Sequence, residues 1–340
     1  KANVEFLTEQ IYDLLDGQSI TVPKGIELPR QQLEKLTGFY EAQGSSEVIY
    51  TYLVDDELNV NFQGRDQGSL VAKSETEFFQ PESDASVQFQ FAEDGQCTGM
   101  HVQQRGMTIE ANKYDGPWGI RDSMIAELQS VLKQEPEHTE NWHEAAFQLL
   151  PILAFNEDLD RYRTLSAEVL KFHGDTKDPQ IAERSVKVLL LAPDAKSLEA
   201  VGAIADRFYQ DRDKMGTFNW GGEVAWSGYL SLVKGMADCR QGNYEAALEA
   251  LGLATEFSSQ DPHSILLRDL FLAMVYHRSG RQEEAAATYA RVEKRIENLP
   301  ANYAYGMGHD RILVHLAQQD TLQSLGRTAS DAADSESASE

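Results

Sequence analysis

The chain has 340 residues, 41% of them hydrophobic, which is enough for a sizeable core and for two or three domains. Its 55 acidic residues outnumber 30 basic ones, for a formal charge of −25. Such a charge repels phosphate backbones and anionic lipid, which argues against nucleic acid and membrane surfaces as partners, and no apolar window is long enough to insert into a bilayer.

The two cysteines, Cys97 and Cys239, fall in segments of different character, so a disulfide between them is not expected and no metal-type cysteine spacing exists. The chain begins at Lys1 without Met and without a signal peptide, as a processed protein or a fragment of a longer one would.

Residues 4–17, VEFLTEQIYDLLDG, place Phe6, Ile11, Leu14 and Leu15 on one helical face and end at Gly17. With the Pro-bearing connector behind it, this helix makes up an N-terminal region, 1–30. QLEKLTGFYEAQ then turns from helix to strand at Gly38-Phe39-Tyr40.

Through about residue 114 the apolar period is two. LNVNF alternates Leu58, Val60 and Phe62 inward against Asn59 and Asn61, and VQFQF does the same with Val87, Phe89 and Phe91. Turn residues such as DDE, EDGQ and QRG separate the runs, and the acidic VDDELN is a charged turn. About eight short strands over 31–114 predict a small antiparallel β-barrel. Phe39, Tyr50, Tyr52, Phe62, Phe89 and Phe91 are expected to fill its interior, although barrels of this kind also have room for a small hydrophobic ligand. DGPWG, 115–119, is a rigid joint to the next part.

From 120 to 325 the signals are helical. SMIAELQSVLKQ, ENWHEAAFQLLPILAF, LDRYRTLSAEVLKFHG, DPQIAERSVKVLLLA and SLEAVGAIADRFYQD follow with short loops. Asp178 caps the fourth ahead of Pro179, and Glu183 and Arg184 read as surface charges. GNYEAALEALGLA and GRQEEAAATYARV repeat each other 38 residues apart, aligning Gly242 with Gly280, Ala247 with Ala285 and Gly235 with Ala273. Small residues where two helices cross, with Gly in the turn, are the chemistry of stacked helical hairpins, and this period exceeds the tetratricopeptide value by about four residues. The tail, 328–340, is small and acidic and is expected to be disordered.

The Leu…Gly-aromatic-Tyr opening of LEKLTGFYEA, VQFQFAEDGQCTGM and the closing GMTIEANK resemble the C-terminal lipocalin-like module of β-lactamase-related serine hydrolases, over about 5–113. YRTLSAEVLKFHGDTKDPQIAERSVKVLLLAPDA and LFLAMVYHRSGRQEEAAATYARV resemble the tetratricopeptide tails of bacterial Ser/Thr protein kinases, over about 140–295. The resemblances imply an α+β chain, a lipocalin-like antiparallel β-barrel followed by a tetratricopeptide-like α-solenoid, of bacterial origin and either cytoplasmic or periplasmic. Both likenesses are to appendages rather than to catalytic domains.

No catalytic set accompanies them. Ser-x-x-Lys occurs at Ser130 and Ser231 without its partner motifs, and HEAA at His143 has Phe147 where a second zinc ligand would stand. His138 and His143 with Glu137 and Glu144 read as a solvated helix cap. Phosphate-binding and nucleophile-elbow motifs are also missing, so the chain is read as not an enzyme by itself, with neither cofactor nor metal expected. MGTFNWGGEVAWSGY, 215–229, is either a loop whose aromatics cover the core or an aromatic lip for a peptide. Its Phe218, Trp220, Trp226 and Tyr229 are the candidate partner-binding residues, with Trp220 expected exposed and Trp226 packed. The reading is a non-catalytic protein–protein interaction scaffold with the β module as a second docking surface. The alternative is the C-terminal accessory portion of a serine hydrolase whose catalytic domain lies upstream.

Overall fold

The computed structural model describes residues 25–43, 48–62, 65–81, 85–104, 106–114, 120, 122–135, 139–192, 195–219, 223–255, 257, 261–297 and 308–326. The expected helix over 4–17, the DGPWG joint, Trp220, the Glu137–His138 pair and the acidic tail lie outside them. The chain divides into two compact units, the first made of Lys1–Met124 with Pro300–Gly308 and the second of Ile125–Leu299 with His309–Glu340.

In the first unit a short helix, α1 (Arg30–Glu34), leads into β1 (Gly38–Ala42). The strands β2 (Val48–Val54), β3 (Glu57–Phe62), β4 (Arg65–Ala72), β5 (Glu77–Gln80), β6 (Ala85–Phe91), β7 (Cys97–Gln104) and β8 (Met107–Tyr114) follow. Each pairs antiparallel with the next, and β1 with β8, so the eight strands close into an up-and-down barrel without free edges. Gly38 has φ of +135°, and a Cβ there would stand 3.1 Å from Lys113 Cε, so the corner into β1 calls for glycine. Asp55 and Asp56, both with positive φ of 47° and 66°, form the two-residue turn joining β2 to β3.

The inward face follows the period-two pattern for Leu58, Val60, Phe62, Val87 and Phe89. The expected filling by all six aromatics is corrected. Tyr40 rather than Phe39 points inward, and Phe39, Tyr50 and Tyr52 form a separate cluster with rings 4.6 and 5.3 Å apart. Adjacent strand residues face opposite sides, so Tyr40 inside puts Phe39 outside, and Ile49 and Thr51 inside leave Tyr50 and Tyr52 outside. Phe91 leaves the interior because the register with β7 shifts between Gln90 and Phe91.

One end of the barrel is closed by the segment around α1. Leu33 and Leu36 join the interior core, and the Leu36 carbonyl accepts hydrogen bonds from the Tyr40 hydroxyl (2.7 Å) and from Thr51 Oγ1. Phe78 packs edge-on against Phe89 just inside. Each such buried aromatic contributes about 1.5–3 kcal/mol.

The second unit is helical. It holds most of α2 (Asp122–Gln134), then α3 (Glu140–Phe155), α4 (Leu159–His173), α5 (Pro179–Leu189) and α6 (Ala195–Gln210). A two-stranded ribbon, β9 (Thr217–Asn219) and β10 (Glu223–Ala225), precedes α7 (Trp226–Gln241), α8 (Tyr244–Leu253), α9 (Pro262–Arg278), α10 (Gln282–Glu297) and α11 (Gly308–Ser324). Asp178 caps α5 as expected, its Oδ1 accepting from the Gln180 and Ile181 amides at 2.8 and 3.2 Å.

The repeated segments form the hairpins α7–α8 and α9–α10. Gly235 lets α7 approach α8 closely: a Cβ there would fall 2.4 Å from Leu251 Cγ. Ala273, its counterpart, is fully buried on α9. Gly242 and Gly280 turn the chain after α7 and α9 with φ of 82° and 83°.

Candidate functional site

The proposed partner residues assemble around the β9–β10 ribbon. Phe218 stacks on Trp226 with centroids 4.1 Å apart and meets Tyr229 edge-on at 5.5 Å, and Tyr229 in turn meets Phe257 at 5.1 Å. Trp226 and Tyr229 are 8% and 3% exposed, so they hold the ribbon to α7, while Phe218 keeps part of its ring at the surface. Trp220 belongs to the undescribed residues.

At the opposite end of α7 the ends of four helices surround a groove of about 640 Å³. Arg240 lies on one side of it, pinned by three contacts. It pairs with Asp320, its Nε donates to the Leu190 carbonyl at 3.1 Å, and its guanidinium lies 5.5 Å from the Phe271 ring centre. Tyr244 opens α8 beside it. Exposed Arg278 closes α9, its Nε 3.4 Å from Ser324 Oγ. His277 adds a buried Nδ1 that has no hydrogen-bond partner. Sequence reading missed this groove, because its residues lie at helix ends far apart in the chain and meet only once the hairpins stack.

A buried ionic cluster on α5 corrects the expectation for Glu183. The residue is 4% exposed, because α5 is packed against α3, α4, α6 and α7 and presents almost no face to solvent, and its carboxylate pairs with Lys187 at 2.8 Å. Burial works against the charge on Lys187, but Glu183, Asp310 and Asp261 raise its pKa above the usual lysine value. Burial likewise works against the Asp310 carboxylate, which His309, Lys187 and His263 hold below the usual range. Arg184 is half-buried and pairs with Glu144 rather than standing in solvent.

His143 is buried as well, and so departs from the expected solvated cap. It is hydrogen-bonded to Ser185 Oγ at 2.9 Å, and burial, with His173 and Arg184 adding to it, lowers its pKa to about 3. Of the Ser-x-x-Lys serines, Ser231 is fully buried within α7, and its Lys234 is held by Asp206 and Asp238 at 2.9 and 2.5 Å. Ser130 Oγ accepts from Gln134 Nε2 at 2.7 Å. Both cysteines are buried and unpaired, and burial pushes the Cys239 thiol up to about 11.

Residues 22–115, which hold all eight barrel strands, match the family model described as Domain of unknown function (DUF3471). No curated protein and no solved structure matches the chain.

Proposed function

We propose that the chain is a non-catalytic interaction protein that takes a protein or peptide partner on its helical unit, with the barrel as a second docking or ligand surface. The observation that carries this reading is the groove of about 640 Å³ at the ends of α7, α8, α9 and α11. Its volume suits a peptide segment, and Tyr and Arg are the side chains that supply most binding energy at interfaces. Arg240 is already immobilised by its three contacts, so little entropy is lost there on binding. Arg278 is exposed and offers its guanidinium to a carboxylate or carbonyl of the partner.

The hairpins α7–α8 and α9–α10 are read as tetratricopeptide-like units. The support is the close crossing at Gly235 and the left-handed turn glycines, Gly242 and Gly280. The non-catalytic part of the reading is supported by the burial of Ser231 and by the double pairing of Lys234. Selecting displayed peptides on the full chain tests the proposal. Selected peptides should lose affinity for Arg278→Glu, and Phe218→Ala is the parallel test of the aromatic cluster, about 20 Å away along α7. A selection that yields no binder would count against the reading.

A second reading rests on the resemblance of LEKLTGFYEA, VQFQFAEDGQCTGM and GMTIEANK, and the closed eight-stranded barrel is compatible with it. In it the barrel is the accessory module of a β-lactamase-related serine hydrolase. Reading the coding sequence upstream of Lys1 tests it: a Ser-x-x-Lys domain in frame supports the reading, and a stop codon in frame refutes it.

A further inference from the structure

The two ends of the barrel differ. The α1 end is filled by Leu36, Tyr40, Phe78, Phe89 and Met100, all essentially without exposure. At the other end, where β3 passes to β4, β5 to β6 and β7 to β8, a cavity of about 100 Å³ remains. Its walls are aliphatic and aromatic, from Ile49, Val60, Phe62, Leu70, Val87 and Val102 among others. Gln67, Gln80 and Gln104 share the lining, and no charged residue is among the described residues that line it.

Gln80 is the informative member. It is 3% exposed, and its Nε2 donates to the main-chain carbonyl of Gln67. That bond fixes the orientation of the amide, because the reverse would set two oxygens against each other. Gln80 Oε1 is therefore a buried acceptor, and it has no hydrogen-bond partner. Leaving such an atom unsatisfied is costly, so the site is poised for a donor.

We propose that the cavity at this end of the barrel binds a short neutral aliphatic chain that ends in a hydrogen-bond donor, a primary alcohol or primary amide. The apolar walls take the chain and Gln80 Oε1 accepts from the head group. A cavity of about 150 Å³ takes benzene, so this one has room for about four carbons, with the head beside the glutamines. A carboxylate would offer Gln80 Oε1 no proton at neutral pH. An ammonium would be buried against Gln80 and aliphatic walls, with no carboxylate among the described lining residues to pair it. The site lies wholly within the first unit and does not depend on the helical groove.

The test uses the full chain and 1-butanol, followed by calorimetry and by methyl NMR. The expected result is saturable one-to-one binding that shifts the methyl signals of Ile49, Val87 and Val102. Butanoate at neutral pH should bind about tenfold more weakly, and Gln80→Leu should weaken 1-butanol by about tenfold, the loss of one hydrogen bond. Val87→Phe, which fills the cavity, should abolish binding. If it does not fold by circular dichroism, Ala85→Phe at the rim serves instead. No saturable binding would mean that the cavity holds only water and would overturn the proposal. So would butanoate binding as well as 1-butanol, unchanged affinity in Gln80→Leu, or shifts confined to residues outside the barrel.

Discussion

The Tyr40 hydroxyl donates to the main-chain carbonyl of Leu36 at 2.7 Å, and Thr51 Oγ1 donates to the same oxygen. Through this shared acceptor, side chains of β1 and β2 tie the end of the α1 segment across the barrel mouth. Tyr40→Phe and Thr51→Val should each cost about 1 kcal/mol, since the carbonyl keeps one donor in either variant. The double variant should cost more than the sum by about 0.5–1 kcal/mol, because the carbonyl is then buried without a donor. Urea unfolding of the four proteins measures the coupling; strict additivity would show that the two bonds act independently.

Gly235 and Gly252 make a matched pair on neighbouring helices. A Cβ at Gly235 would meet Leu251, whereas one at Gly252 would meet nothing within 4 Å. Gly252→Ala should stabilise the chain by about 0.5–1 kcal/mol through helix propensity. Gly235→Ala should destabilise it by about 1–3 kcal/mol through overpacking, despite the same gain in propensity. Thermal melts of both variants check the signs, and Leu251→Ala should partly rescue Gly235→Ala.

Much of this architecture is legible in the chain itself. The strand alternation at Leu58, Val60 and Phe62, the Asp178 cap and the crossing at Gly235 are local patterns with local causes. What escapes depends on partners distant in sequence. Tyr40 and Phe39 are equally aromatic, and only the register against β2 and β8 decides which faces inward. Glu183 carries the charge of a surface residue and is buried because four other helices surround α5. Gln80 and Gln104 end their strands and Gln67 lies near the start of β4, where polar residues read as turn chemistry, and the barrel closure alone brings them to one cavity.

The ion pair inside the second unit should be costly to break. Lys187→Met leaves Glu183 buried without its cation and removes one of the positive groups facing Asp310, and should destabilise the chain by about 3–5 kcal/mol. Glu183→Leu combined with Lys187→Met should cost less than Lys187→Met alone, because the charge and its partner leave together. Denaturant midpoints for the three proteins decide this; a double variant worse than the single one would contradict it.

His143 gives the second unit an acid sensitivity of definite sign. Its folded value is about 3 against 6.5 for the free side chain, so in that interval the unfolded chain binds the extra proton. The contribution is fully present above about pH 6.5 and is lost as pH falls toward 3, at about 1.4 kcal/mol per pH unit. His143→Gln should flatten the fall in stability between pH 6 and 4 by up to that amount. An unchanged slope would assign the acid sensitivity to other groups.

The most direct measurement of the interaction reading is the affinity of a display-selected peptide for the wild-type chain and for Arg278→Glu. Arg278 stands exposed at the groove, so reversing its charge alters the surface and not the core. The reading predicts a loss of about tenfold or more, the scale of one charge-assisted contact, with the melting temperature unchanged. Equal affinity for the two proteins would contradict it, and would place the peptide somewhere other than the groove between the helical hairpins.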